Sequence, residues 1–401
     1  MKYIEEHKKT PITDKCEVLV AGGGMAGISA ALSAARHGKD TLLIENEFAL
    51  GGLATLGIVT IYLPLCDGKG HQVIYGIGEE LLKLSYKYGA ERRTPTMWMT
   101  PHSVEERATQ RYEVQYNPNI FMLEVEKLLL DAGVRILYGS RICGTTVDKN
   151  TITSVIIENK SGRSAVEVES VIDCTGDADI AAFSGAKTEK FAQGNVLAGW
   201  YYSLSGGVKK LNMLGFADIP DSEKGSEEKV EKLVSRRFAG LDGKELSEQM
   251  QFSHASTLRD FQKKRETNED TEISMIATIP QIRMTRRIVG DIDLDTSDDK
   301  RRFEDSIGMT GNWKKSGPVY EVPFGAIRSV NIRNLLAAGR CISTTDAMWD
   351  VTRVIPTCAV TGEAAGVAAS VTCDFRSADV GKIQSLLREA GVKLHTDEVL
   401  S

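Results

Sequence analysis

Nowhere in the 401 residues do about 18 apolar side chains run together, the length a bilayer-crossing helix needs, so no membrane span is expected. The seven cysteines (Cys16, Cys66, Cys143, Cys174, Cys341, Cys358 and Cys373) form no CxxC pair. That spacing argues against a thioredoxin-like redox disulfide, a zinc site and an iron–sulfur cluster. An odd, scattered set reads as reduced thiols in a cytoplasm. There is no basic excess: Lys and Arg number 49 against 55 Asp and Glu, a net charge of −6. Nucleic acid is therefore not an expected partner. The opening MKYIEEHKKTPITD has no apolar core and reads as a short arm, not a secretory signal. Repeats and low-complexity tracts are absent, and the histidines show no metal-ligand spacing, so no metal is expected.

What is present is an ordinary globular composition, 42% hydrophobic and 26% charged, in a chain long enough for two cores. A short β-rich run, Glu17–Ala21, leads into glycines and then into MAGISAALSAARHG, which ends at Gly38 as a helix ends. DTLLIEN follows as a buried strand. Strand, glycine turn, helix and strand make one right-handed βαβ unit.

NPNIFMLEVEKLLLDAG carries helical spacing at Phe121, Leu123, Val125, Leu128 and Leu129, and Val134–Tyr138 is the next strand. The β-prone runs Arg141–Val147, Ile152–Glu158 and Ala165–Glu169, separated by tight turns, predict a small antiparallel meander, after which Val171–Asp173 returns to a buried strand. Regular alternation is lost over 61–111 and 186–325, where charge runs (Asp221–Lys232, Lys263–Glu272) and scattered aromatics dominate. It returns at Leu335–Ala338 and in a late helix near Thr361–Val371. The expected division is a discontinuous dinucleotide-binding domain (1–60, 112–185, 326–401) and a discontinuous α+β substrate or cap domain (61–111, 186–325).

The strongest local signal is Gly22-Gly23-Gly24-Met25-Ala26-Gly27, a G-x-G-x-x-G between a strand and a helix. Gly22 makes the tight turn, Gly24 lets the backbone approach a pyrophosphate, and Gly27 permits close helix–strand packing. The helix start offers free N–H groups and a positive dipole end to the phosphates. Glu45 ends the second strand, eighteen positions after Gly27, where a carboxylate accepts from a ribose diol and repels a 2′-phosphate.

Asn46 leads on to Gly51-Gly52 and the small residues Ala54 and Thr55. This resembles the double-glycine extension of FAD-binding proteins of the glutathione reductase structural class. Two further segments carry the resemblance. Ile172–Asp179 resembles a strand-to-loop motif in which Thr175-Gly176-Asp177 passes near the cofactor. Asn334–Arg340, Arg353–Cys358 and Thr361–Gly366 resemble the C-terminal flavin segment. Together they are similar to a broad, mostly uncharacterised group of bacterial FAD-dependent oxidoreductases. The resemblance implies a Rossmann-like α/β fold and FAD held by Gly22, Gly24, Met25, Ala26, Gly27, Glu45, Asn46, Gly51, Gly52, Ala54, Thr55, Ile142, Thr175, Gly176, Asp177, Gly339, Arg340, Arg353, Ile355 and Pro356. It covers most of the chain and is weakest over 200–270. A helix starting near Pro356–Thr361 would point its positive end at the flavin and favour an anionic reduced state. No second G-x-G-x-x-G follows a strand, so no separate nicotinamide domain is expected; with the missing CxxC, this departs from the disulfide reductases.

Three arginines, Arg283, Arg286 and Arg287, lie in QIRMTRRIVGD and are candidates to clamp an anion against surface or interdomain ion pairing. Arg283 is preferred because it ends the apolar stretch Ile273–Ile282. The loop Ser343–Arg353 lies between two flavin-like segments. Relatives often carry a histidine at Asp346, and its absence leaves Asp346 or Asp350 as candidate proton acceptors, against helix capping or pairing with Arg353. Arg353 is a candidate at the flavin or substrate. His71, His102, His254, Tyr75 and Tyr201 read as packing or surface residues, and Cys66, Cys341 and Cys358 as inert thiols.

The function expected is hydride transfer between flavin N5 and a small, anionic organic substrate, with a separate electron acceptor or donor. Homo-oligomers are compatible with it. The rivals are a non-catalytic FAD-binding electron-carrier subunit, an NAD-dependent dehydrogenase and a non-redox flavoenzyme.

Overall fold

The computed structural model describes residues 2–215 and 233–400; the charge run Asp221–Lys232 lies outside them. A seven-stranded sheet forms the centre, in the order Arg135–Leu137, Thr41–Ile44, Ile12–Ala21, Gly162–Asp173, Thr151–Asn159, Arg141–Asp148. The long strand Gly162–Asp173 divides its edge. Its first half pairs antiparallel with Thr151–Asn159, and its last three residues pair parallel with Leu335–Ala337. Its other edge runs parallel to Ile12–Ala21 over most of that strand. The expected meander is therefore fused to the parallel sheet through one continuous strand, where the sequence suggested two runs.

Val18, Leu19 and Val20 are all fully buried, because both sheet faces are covered. One face packs on the helices Met25–Arg36 and Ile355–Val371, and the other on Ala178, Ile180, Ala181 and Ile288. The two helices approach closely because glycines face backbone. A Cβ on Gly362 would lie 2.2 Å from the Ala26 carbonyl oxygen, and one on Gly366 would lie 2.4 Å from that of Ala30. The late helix begins at Ile355, earlier than its Ala-rich stretch suggested, because Pro356 occupies the first turn, where its missing N–H costs nothing. Pro118–Asp131 buries Phe121, Val125 and Leu129, an i, i+4, i+8 stripe, and leaves Leu123 exposed.

A second layer holds a three-stranded sheet (Val208–Leu214, Gly199–Ser205, Glu272–Ile276) and the 25-residue helix Gly243–Thr267. That helix buries Gln249, Ser253, Ser256 and Thr257, and so shows no apolar stripe in the sequence. The segment 61–111 contributes to the central core. Tyr62, Leu65, Val73, Ile77 and Leu82 pack in the same cluster as Val18, Ile28 and Ala364. Tyr62 donates its hydroxyl to Gly78 inside that cluster, and its companions are apolar, so the segment docks as core whatever its irregular outline.

Candidate active site

The parallel strands stop in register. Ala21 pairs with Ile44 and with Asp173, and Ala337 pairs with Asp173. Four loops therefore leave the carboxyl edge together, which is where open α/β sheets bind ligands. Gly22–Ala26 without Gly23, Glu45–Glu47, Cys174–Asp177 and Ala338–Arg340 all line one cavity of about 820 Å³. The size lies within the range of about 300–1,000 Å³ typical of ligand sites.

Gly22 has φ +98°, and a Cβ there would meet the Cys174 carbonyl at 2.7 Å. Gly27 does not line the cavity; it sits behind the turn, where a Cβ would lie 1.8 Å from the Gly22 carbonyl oxygen. Gly24 differs from both. It has an ordinary φ of −69°, yet an added Cβ would meet nothing within 4 Å and would stand in the cavity. That space is a cradle which any side chain would fill, and it fits the close backbone approach a diphosphate needs. Gly51 donates its amide to the Gly23 carbonyl at 2.8 Å, so the second glycine pair is tied directly to the first turn. Gly52 and Ala54 line the cavity with it, while Thr55 turns away and donates its hydroxyl to the Leu50 carbonyl at 2.5 Å.

Glu45 lines the cavity but is also structural. Its Oε2 accepts the Gly23 amide at 2.6 Å and its Oε1 the Glu47 amide at 2.8 Å. Burial pushes its carboxyl up, and the amides oppose that shift. The third loop is organised by Asp173, a fully buried carboxylate whose Oδ1 takes both the Thr175 amide and its hydroxyl, and whose Oδ2 takes the Ala181 amide at 3.0 Å. Asp177 accepts from the Thr285 hydroxyl at 2.6 Å and from Arg340 at 3.1 Å. Asn46, Ile142, Thr175 and Gly176 line the cavity, as do Gly339, Arg340, Arg353 and Ile355; Pro356 does not. The start of the Ile355–Val371 helix thus opens on the cavity with no side-chain cap.

The structure separates the three candidate arginines. Arg286 pairs with Asp179 at 2.6 Å, and Arg287 pairs with Asp346 at 2.6 Å and Glu189 at 2.9 Å. Arg283 has no carboxylate partner among the described residues, and it lines the cavity. Burial, then the charges of Arg353 and Arg340, press its guanidinium pKa down.

The expectation that Asp346 or Asp350 takes a proton does not fit their placement, since neither lines the cavity. Asp346 is held by Arg287. Asp350 is buried between Arg353 and Lys314, the latter at 2.9 Å, and is paired with both. Among the described residues no histidine or tyrosine lines the cavity. His71 is paired with Asp67 at 2.9 Å, and the Tyr201 hydroxyl donates to Asp260 at 2.6 Å. Two thiols, Cys174 and Cys358, do line it; burial pushes Cys358 up to about 12 and Cys174 well above its usual range, so both stay protonated.

Several lining residues carried no signal in the sequence. Leu246, Ser247 and Met250 come from the long polar helix, and Ile279, Pro280 and Ile282 from an irregular segment before Arg283.

A family model described as FAD dependent oxidoreductase matches residues 17–199 and 201–387. No curated protein matches the sequence. Among solved structures, the chain is similar to a geranylgeranyl bacteriochlorophyll reductase-like protein from Thermoplasma acidophilum, at 13% identity over 94% of this chain and 84% of that one, with a TM-score of 0.49. It is similar to p-nitrophenol 4-monooxygenase from Pseudomonas putida DLL-E4, at 11% identity over 95% and 82% of the two chains, with a TM-score of 0.47. A third similar structure is the open conformation of a flavocytochrome c3 fumarate reductase, at 12% identity over 90% and 78%, with a TM-score of 0.42.

Proposed function

Because this chain belongs to the FAD dependent oxidoreductase family, we propose that its carboxyl-edge groove holds FAD with the diphosphate at Gly24 and the isoalloxazine toward Ile355, and that it transfers hydride between that flavin and a small organic substrate. FAD is its cofactor, and when bound it supplies a two-electron acceptor or donor at N5. The observation that carries the reading is the continuity of one cavity from Gly22 and Gly24 to Arg353 and Ile355. Amides of the Met25–Arg36 helix start would bind the diphosphate, and Glu45 the adenosine ribose. The uncapped start of the Ile355–Val371 helix would favour negative charge beside it. The substrate would enter from the second layer, past Met250, Ile279 and Arg283, which line the groove. The narrower kinship with the glutathione reductase class rests on the Gly51-Gly52 extension and is part of this proposal.

The test is an anaerobic screen of the purified, flavin-loaded protein against carboxylates, amino acids, sugars and quinones. Bleaching of the flavin by one class, or reoxidation of the reduced flavin by one class, is the expected result. Flavin that stays unchanged in both directions across the panel would replace this reading with an electron-carrier role.

A further inference from the structure

Arg283 is 4% exposed, and two of its guanidinium nitrogens, Nε and Nη2, are buried without a hydrogen-bond partner. Its neighbours in the cavity differ in having a carboxylate partner, although Nε of Arg353 is also buried without a hydrogen bond. Arg340 donates to the carbonyls of Ile282 at 3.1 Å and Arg283 at 2.9 Å and to Asp177, and Arg353 is paired with Asp350. Arg283 is nevertheless held firmly. The Asn195 side-chain oxygen accepts the amides of Arg283 at 3.1 Å and Met284 at 2.9 Å. Gln281 beside it accepts the Trp200 amide at 2.8 Å, and the Arg283 guanidinium carbon lies 5.0 Å from the centre of the Trp200 ring. The backbone is fixed, one face of the guanidinium is stacked, and no carboxylate among the described residues pairs with it.

An unneutralised guanidinium in a desolvated site is costly unless an anion completes it. A guanidinium recognises a carboxylate by charge-assisted N–H donation, and the side of the group that an anion can reach is the one that faces the cavity, not the enclosed Nε and Nη2. Arg283 stands outside the parallel sheet, on the segment between the strands Glu272–Ile276 and Arg286–Ile288, so it does not belong to the strand-end loops that receive a dinucleotide. We propose that the guanidinium of Arg283, which lines the cavity and is backed by Trp200, is the subsite for a carboxylate of the substrate, which makes this an oxidoreductase of small carboxylic acids. The inference rests on the flavin reading above and goes beyond it in naming the substrate class.

The test uses flavin-loaded protein and four probes (acetate, pyruvate, succinate and benzoate), with acetamide and benzamide as neutral controls. The visible absorption of the bound flavin reports occupancy. At least one carboxylate should shift it saturably and raise the melting temperature, and the amides should not. Arg283→Met keeps the stem against Trp200 and removes the uncompensated charge, so it should melt no lower than wild type in the absence of carboxylate. Its flavin content should be unchanged, and the effective carboxylate should bind at least about tenfold more weakly, the loss expected of one charge-assisted contact. Equal carboxylate affinity in wild type and variant would overturn the proposal, as would a wild-type spectrum indifferent to all four acids. Loss of flavin from Arg283→Met would overturn it differently, by assigning the arginine to the cofactor. Wild-type protein that takes up no flavin would sink the underlying reading, and this one with it.

Discussion

The Gly23 amide donates to Glu45 Oε2 at 2.6 Å, across twenty-two positions of chain. One carboxylate therefore both shapes the glycine turn and stands at the expected ribose position. Glu45→Ala should weaken FAD binding by roughly tenfold or more, about 1.5–3 kcal/mol for a hydrogen bond to a charged group, while Glu45→Gln, which keeps one acceptor oxygen, should lose less. Fluorescence titration of the apoprotein with FAD measures both. Full affinity in the alanine variant would remove Glu45 from the cofactor.

Gly24 and Gly27 should fail in different ways. A side chain at Gly24 enters open space with an ordinary φ, so Gly24→Val should fold at a near-normal melting temperature and retain no flavin. At Gly27 a Cβ would meet the Gly22 carbonyl oxygen at 1.8 Å, so Gly27→Ala should cost about 2–3 kcal/mol of stability by overpacking. Circular dichroism melts and flavin stoichiometry separate the two. Normal flavin content in Gly24→Val contradicts the diphosphate assignment.

The two aspartates of the helix Asp346–Thr352 should differ as ion-pair members, not as bases. Asp350→Ala leaves Arg353 and Lys314 without their carboxylate and should cost about 3 kcal/mol, as breaking a buried pair does. Asp346→Ala leaves Arg287 its pair with Glu189, and half-exposed pairs contribute less than about 1 kcal/mol. Denaturant melts give both values. A variant that keeps its stability but loses turnover would restore that aspartate as a proton acceptor.

Glu363, in the helix that packs on Met25–Arg36, is buried and accepts the Ile77 amide at 2.9 Å. Burial pushes its carboxyl pKa from 4.5 up to about 8. Both folded and unfolded chains hold this proton below pH 4.5; between 4.5 and 8 only the folded chain keeps it. This contribution is therefore whole at low pH and falls as pH rises through that window. Glu363→Gln should match wild type near pH ~5 and exceed it near pH ~8.5 by on the order of 2–4 kcal/mol. Chemical denaturation at the two pH values checks the sign, and a variant less stable at the higher pH would contradict it.

The sequence alone determined the glycine turn, the parallel strands around it, the meander and Glu45 at the second strand end. Each of these is written locally, in glycine spacing, apolar runs and turn residues, because backbone conformation and strand burial depend on near neighbours. It could not show the helix Gly243–Thr267, whose buried face is made of Gln249, Ser253, Ser256 and Thr257 and so lacks the apolar period that marks a helix. From the apolar stretch before it the sequence preferred Arg283 to Arg286 and Arg287, but it could not show which of the three finds an ion-pair partner, nor where Asp346 and Asp350 lie. Those distinctions turn on partners distant in the chain, with Arg287 meeting Glu189 and Asp346 while Arg283 meets no carboxylate among the described residues. Only the tertiary structure decides which charges are neutralised, because burial and pairing are properties of the packed chain, and the residue type alone carries neither.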